Sequence, residues 1–436
     1  MELLVIFLAI CLQLFLTYKK VSPFLSLLIV AILSGICLGM QPADIIKSVE
    51  KGAANTLGGL ALIICLGAIL GKLLETGGAA EKISTTLING FGEKNIQWAI
   101  MLTGFFIGIP LYYNAGFVIL VPLVFSVANK AKLPLLYVAI PMAAALSTTH
   151  CFLPPHPSPV FLVNAFHADM GKTLVYGMII TIPVVIVAGP MLGRLLKKTE
   201  VNIKSFLFST TTEENKKLPG ALPSFLIGLL PVILITLAVL AQYFLAEGLF
   251  KKAVLFIGDP TIALLIAVFL AIWFFGIKGG NNMETVTKWL NEAISGIAVI
   301  LLIITAGGIF KQVLQDSGTD QYIASFSSKW EMPPLIFAWI ITAMLRIAIG
   351  SATVAGITAA SVVTPLVTAG AVSPELMVLA IGTGSVFGSH INDSGFWMFK
   401  EFFNLTLKQT FLSWSVMEAI ISVLGIVGVL LLDLVL

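Results

Sequence analysis

Apolar runs of about 18 to 25 residues follow one another from end to end of this chain, each long enough to cross a bilayer. Nothing else limits the fold as much. Of the 436 residues, 58% are hydrophobic and only 11% are charged, whereas about a quarter of a soluble domain is charged. So little charge cannot cover a water-facing surface. The expected fold is an all-α polytopic membrane protein without a soluble domain.

The opening stretch, "MELLVIFLAICLQLFLTYKK", has the apolar centre of a signal peptide. It lacks a basic start and a small-residue cleavage site, and its lysines follow the apolar run. It is therefore read as a retained first helix. The net charge of +3 comes from lysines spread over loops and forms no nucleic-acid patch. Cys11, Cys37, Cys65 and Cys151 lie singly in apolar stretches, so they read as small packing residues. No metal site or cofactor is expected.

One markedly polar stretch, 194–220, interrupts the chain and reads as a cytoplasmic loop from its lysine excess. The segments on either side of it are alike. "GAILGKLLETGGAAEKI" (67–83) aligns with "GGIFKQVLQDSGTDQYI" (307–323) in its glycines, apolar positions and final isoleucine. "NAGFVILVPLV" pairs with "VAGITAASVVTPLV", and "LPLLYVAI" pairs with "SPELMVLAI", in the same order. The chain accordingly divides into a first repeat at 1–195, a linker at 196–220 and a second repeat at 221–436.

Loop lysines orient the segments. In the first half, 96–129 is expected to be a hairpin that enters and returns, and 134–168 a crossing with a broken middle. In the second half, 333–372 is the matching hairpin, opening from the opposite side, and 374–404 the matching broken helix. Segments 57–74, 173–195, 222–246, 253–277, 295–315 and 409–434 are expected to cross outright, and 77–93 and 317–331 to lie at the interface. Each half then holds about five crossings and one re-entrant hairpin in opposite topology. That is the inverted-repeat plan of secondary transporters.

Four interruptions stand out, two per half: "GIPLYYNAG" (108–116), "STTHCFLPPHPSPV" (147–160), "IGSATVAG" (349–356) and "FGSHINDSG" (387–395). At membrane depth, backbone leaves the helix only where protein or a wet cavity satisfies its N–H and C=O groups. A lone "GIP" is ordinarily a kink, but four breaks at matched places in two repeats point to a site. The half-helices beginning there aim free N–H groups and positive dipole ends at an anion.

Arg346, one of two arginines in the chain, lies between apolar stretches beside the third break. A charge at the bilayer centre costs about 2.5–3.5 kcal/mol even on lenient scales. Three readings stay open: its planar fork binds a ligand carboxylate, it pairs with Asp393, or it snorkels to the surface. His150, His156 and His390 fall in or beside breaks, and imidazole or a buried carboxyl can carry a proton. His390, Asp393 and His156 are thus the proton-coupling candidates. A capped turn is the plain alternative for His156.

"LRIAIGSATVAG", "GSHINDSGFWMFKEFF" and "LKQTFLSWSVMEAIISVLGIVGVLLL" strongly resemble the bacterial gluconate permease family. "GIPLYYNAGFVILVPLVF" and "HPSPV" fit the same family, so the resemblance covers nearly the whole chain. It implies a proton-coupled symporter of small hydroxy- or amino-acids such as gluconate, idonate, D-serine or glycerate. It also implies two re-entrant hairpins, an elevator mechanism and a possible homodimer. Carried onto this chain, the hairpin tips are Tyr112–Asn114, which includes Tyr113, and Ser351–Thr353. The breaks are Ser147–Thr149, which includes Thr148, and His390–Ser394.

The expected function is inner-membrane uptake of a gluconate-like acid together with protons. Arg346 would hold the carboxylate, Ser351, Thr353 and Asn114 would present donors, and Asn392 and Ser394 would meet hydroxyls. Sodium coupling and another sugar-acid or amino-acid substrate are alternatives. An anion channel is a rival of another class, but the polar residues cluster in the breaks and do not line helices end to end. An intramembrane enzyme lacks any metal-ligand spacing to support it.

Overall fold

The computed structural model describes residues 2–92, 95–199, 201, 218–318, 332–370, 372–390 and 393–436. Every regular element among them is helical. The first half runs α1 (Glu2–Tyr18), α2 (Pro23–Cys37), α3 (Pro42–Thr76), α4 (Ala79–Phe91), the pair α5 (Ile96–Gly108) and α6 (Tyr113–Lys130), the pair α7 (Leu135–Phe152) and α8 (Pro157–Phe166), and α9 (Met170–Lys198). The second runs α10 (Ala221–Phe244), the short α11 (Leu249–Ile257), α12 (Pro260–Ile277) and α13 (Met283–Asp316). It continues with the pair α14 (Pro334–Ile349) and α15 (Ala352–Thr368), the pair α16 (Pro374–Gly384) and α17 (Ser394–Phe402), and α18 (Leu407–Asp433).

Prolines start many of these helices. Pro23, Pro42, Pro157, Pro260, Pro334 and Pro374 occupy the first turn, where a missing N–H breaks no helical bond. Asp259, Asn282, Ser351, Ser373 and Asp393 accept first-turn N–H groups as side-chain caps.

The order of elements repeats: a long helix, a helix pair, a broken pair and a closing helix appear as α3, α5–α6, α7–α8 and α9, then as α13, α14–α15, α16–α17 and α18. Each of the four pairs consists of two helices parted by a short break. Segment 317–331 lies largely outside the described residues, while its counterpart at 77–93 contains α4. Among the described residues, six helical runs, with α7–α8 counted as one, are long and apolar enough to cross a membrane, or seven with the bent α3. Helices α1, α2 and α16 are apolar but shorter than that test requires.

Two boundaries differ from the sequence reading. Helices α3 and α13 begin well before the apolar runs that announced them, because "PADIIKSVEKGAANT" and "METVTKWLNEAIS" are helical but polar. Hydropathy registers only their membrane-depth part. The expected crossing at 253–277 is two helices, parted where Asp259 caps α12 and Pro260 forbids continuation of α11.

Helices α3 and α13 cross in close contact, with α2 and α12 packed beside them. A Cβ on Gly308 would overlap the Thr56 side chain, and one on Gly52 would lie 2.7 Å from the Ile309 Cα. The hairpins and broken pairs form a second body: α14 packs on α15 and α16, α15 on α8, and α16 on α18. Helix α7 runs through its middle and is buried almost all round, which is why it shows no polar face. Polar bonds tie the two bodies together. Gln13 Nε2 donates to Thr358 Oγ1 at 2.9 Å, and Lys311 Nζ donates to the Ala165 carbonyl at 2.5 Å.

Candidate functional site

A cavity of about 440 Å³ opens between α13 and the second body, within the usual range for small-molecule sites of about 300–1,000 Å³. The first residues of α6, α8, α15 and α17 all line it. All four interruptions therefore meet at one place, and four half-helix N-termini face the same space. The opposite wall is apolar, formed by Gly296, Ile300 and Ile303 of α13.

Gly350 lets the chain turn at the tip of the second hairpin. It sits at φ 80°, a conformation that side chains rarely adopt, and closes α14 with its N–H on the Arg346 carbonyl at 2.9 Å. That places Arg346 in the last turn of α14, where the dipole favours a cation. Asp393 caps the N-terminus of α17, where the dipole favours an anion, and accepts the Gly395 N–H at 2.8 Å.

Arg346 is 4% exposed and donates from Nη2 to Asp393 Oδ2 at 2.5 Å. It does not snorkel. Its Nε and Nη1 are buried and have no partner among the described residues. The guanidinium thus meets one protein acid and keeps further donors unused. Asp393 is held from behind: Trp414 Nε1 donates to Ser389 Oγ at 2.7 Å, and Ser389 Oγ donates to Asp393 Oδ2. Every described partner of the Asp393 carboxylate is a donor.

Of the residues singled out from the sequence, Tyr113, Asn114, Ser147, Arg346, Ser351, Thr353, Asp393 and Ser394 line the cavity. Thr148 and Thr149 are buried instead, with hydroxyls donating to carbonyls one turn back in α7. A Cβ on Gly108 would strike the Thr149 side chain, so this threonine serves a close helix approach. His390 does not line the cavity, and Asn392 lies outside the described residues.

His156 is buried away from the cavity, and His150 lines it. The Gly108 carbonyl, 2.7 Å from His156 Nε2, can only accept, so that nitrogen carries the hydrogen. In the neutral pair, His156 Nδ1 then accepts from His150 Nδ1 at 3.2 Å. His150 Nε2 is left as an acceptor. The plain reading of His156 as a hydrogen-bonded turn residue describes its surroundings.

The sequence reading passed over Glu418. It is 1% exposed, lines the cavity and, among the described residues, leaves Oε1 without a partner. A lone acid inside the apolar run "SWSVMEAIISVLG" was the available signal. Tyr113 lines the cavity with a hydroxyl that has no partner among the described residues, its ring packed on Phe117 and Trp414.

The model of the GntP family permeases matches residues 1–435. A high-affinity gluconate transporter of Escherichia coli (strain K12) is 49% identical over the full length of both chains. The Gnt-II system L-idonate transporter of the same organism is 45% identical over 96% of this chain and 95% of its own. A gluconate permease of Bacillus subtilis (strain 168) is 41% identical over the full length of both. These relatives are named as permeases and transporters, in line with the expectation of a protein that is not an enzyme. The crystal structure of the YdaH transporter of Alcanivorax borkumensis superposes with a TM-score of 0.68 at 16% identity, covering 97% of this chain and 98% of that one. This likeness extends the shared fold beyond detectable close kinship. The chain is a multi-pass membrane protein and belongs to the GntP family of permeases.

Proposed function

We propose that this permease takes up gluconate or a closely similar hydroxycarboxylate across the bacterial inner membrane, coupled to protons. The observation that carries the reading is the half-used guanidinium of Arg346, buried where four helix N-termini meet. A carboxylate fits its free N–H groups and the dipole ends. Asn114, Ser351, Thr353 and Ser394 supply neutral groups for hydroxyls around it.

A count of charges supports proton coupling. The charged side-chain types lining the cavity, among the described residues, are Arg346, Asp393 and Glu418. A ligand carboxylate would add another acid to two that already face a single cation. Like charges so close in a poorly solvated site repel, and a proton entering with the ligand relieves this.

The two halves would stand as inverted repeats joined by 196–220, and the hairpin body would slide against the α3–α13 body as an elevator. The position of the cavity between these bodies supports this. Labelled gluconate uptake by proteoliposomes under imposed pH or sodium gradients tests the reading. Accumulation driven by an inward proton gradient is expected. Accumulation that needs sodium and ignores the pH gradient would refute it.

A further inference from the structure

We infer that Glu418 is the proton-binding group of the transport cycle, its carboxyl taking up the coupling proton when a carboxylate occupies Arg346. The inference rests on the coupled-uptake reading above and adds the identity of the group. Among the described residues two carboxyls line the cavity, and their surroundings differ in kind. Asp393 has the guanidinium, a serine hydroxyl and a backbone N–H on its oxygens, so a proton there would displace a donor. Glu418 has no partner on Oε1 among the described residues. An added proton displaces nothing at that atom.

Among the described residues, the other titratable groups lining the cavity with Glu418 are Arg346 of α14, Asp393 at the cap of α17, His150 and Cys151 of α7, Tyr113 of α6 and Tyr112 just before it. On its own helix, the other acid is Asp433 in the last turn. Arg346 supplies positive charge, but its hydrogen bond goes to Asp393. A buried carboxylate with an open oxygen is costly, and a ligand anion on Arg346 would leave it less compensated still. The step is a simple addition: a proton bonds to a Glu418 oxygen as the ligand enters and leaves as the ligand departs.

The test uses the full chain in proteoliposomes with labelled gluconate. Glu418→Gln should lose gradient-driven accumulation by about tenfold or more, and by more than it loses exchange of external for internal gluconate. Glu418→Asp should restore coupling. If wild-type uptake ignores the gradient, the coupling reading and this assignment fall together. If wild type is coupled and Glu418→Gln stays coupled, the assignment alone falls. It also falls if exchange and accumulation are lost equally, which would make Glu418 a ligand contact.

A measurement on the unaltered protein guards against a variant that does not fold. Dicyclohexylcarbodiimide, which adds to protonated buried carboxyls, should label Glu418 by mass spectrometry, and labelling should fade as pH rises. Labelling absent at every pH would overturn the assignment.

Discussion

Arg346 and Asp393 stand 47 positions apart in the chain and 2.5 Å apart in the fold. One ends a helix of the second hairpin, and the other begins the half-helix after the last break. Their contact lies in the cavity wall. It also fixes the charge on which ligand binding would depend.

Removing either partner strands a buried charge. Asp393→Ala should therefore lower stability by about 3–5 kcal/mol. The double variant with Arg346→Ala should lose less than the sum of the single losses, because neither charge is left alone. Thermal unfolding of the four proteins in detergent measures this. Additive losses would mean that the pair is not formed.

The chain of donors behind Asp393 should matter in its own right. Ser389→Ala leaves the Trp414 N–H without its acceptor and takes one donor from the carboxylate. A loss of about 1–3 kcal/mol is expected for such a buried vacancy, again by thermal unfolding. Ser415→Ala, which removes a bond to the Ser389 carbonyl, should cost less, because its own site is only partly buried.

The crossing of α3 and α13 has no room for another carbon. Gly308→Ala should destabilise the protein by about 1–3 kcal/mol through overpacking against Thr56. Thr56→Ala in the same chain should recover most of that loss. Failure of the second change to rescue the first would show that the helices do not approach as described.

Much of this architecture was legible because broken helices advertise themselves. Glycine, proline and polar residues cluster at 108–116, 147–160, 349–356 and 387–395, and each cluster parts two helices in the fold. Arg346 was legible for its cost, and Asp393 as its nearest intramembrane acid. Other features had no distinct signature. Thr148 and Thr149 read like Ser147, yet only the fold shows hydroxyls turned to the backbone of α7. His150 and His156 are alike in sequence, and the Gly108 carbonyl separates their roles. Polar first turns hid the starts of α3 and α13. Glu418 was visible as a lone acid in an apolar run, but its meaning depends on the cavity beside it.

The elevator reading predicts that fastening the two bodies stops transport. Gln13 and Thr358 bridge them through a 2.9 Å hydrogen bond. With both replaced by cysteine in a chain whose four native cysteines are serine, a short bis-thiol crosslinker should abolish uptake, and a cleavable version should restore it on reduction. Normal uptake after complete crosslinking would exclude sliding at this boundary.

Equilibrium binding to the purified protein probes the central claim most directly. Wild type should bind gluconate and discriminate strongly against glucose, which has similar hydroxyls but no carboxylate. Arg346→Lys keeps the charge and loses the planar fork, so its gluconate affinity should fall by about tenfold or more. Equal affinity for the two sugars, or unchanged gluconate binding by Arg346→Lys, would contradict the account.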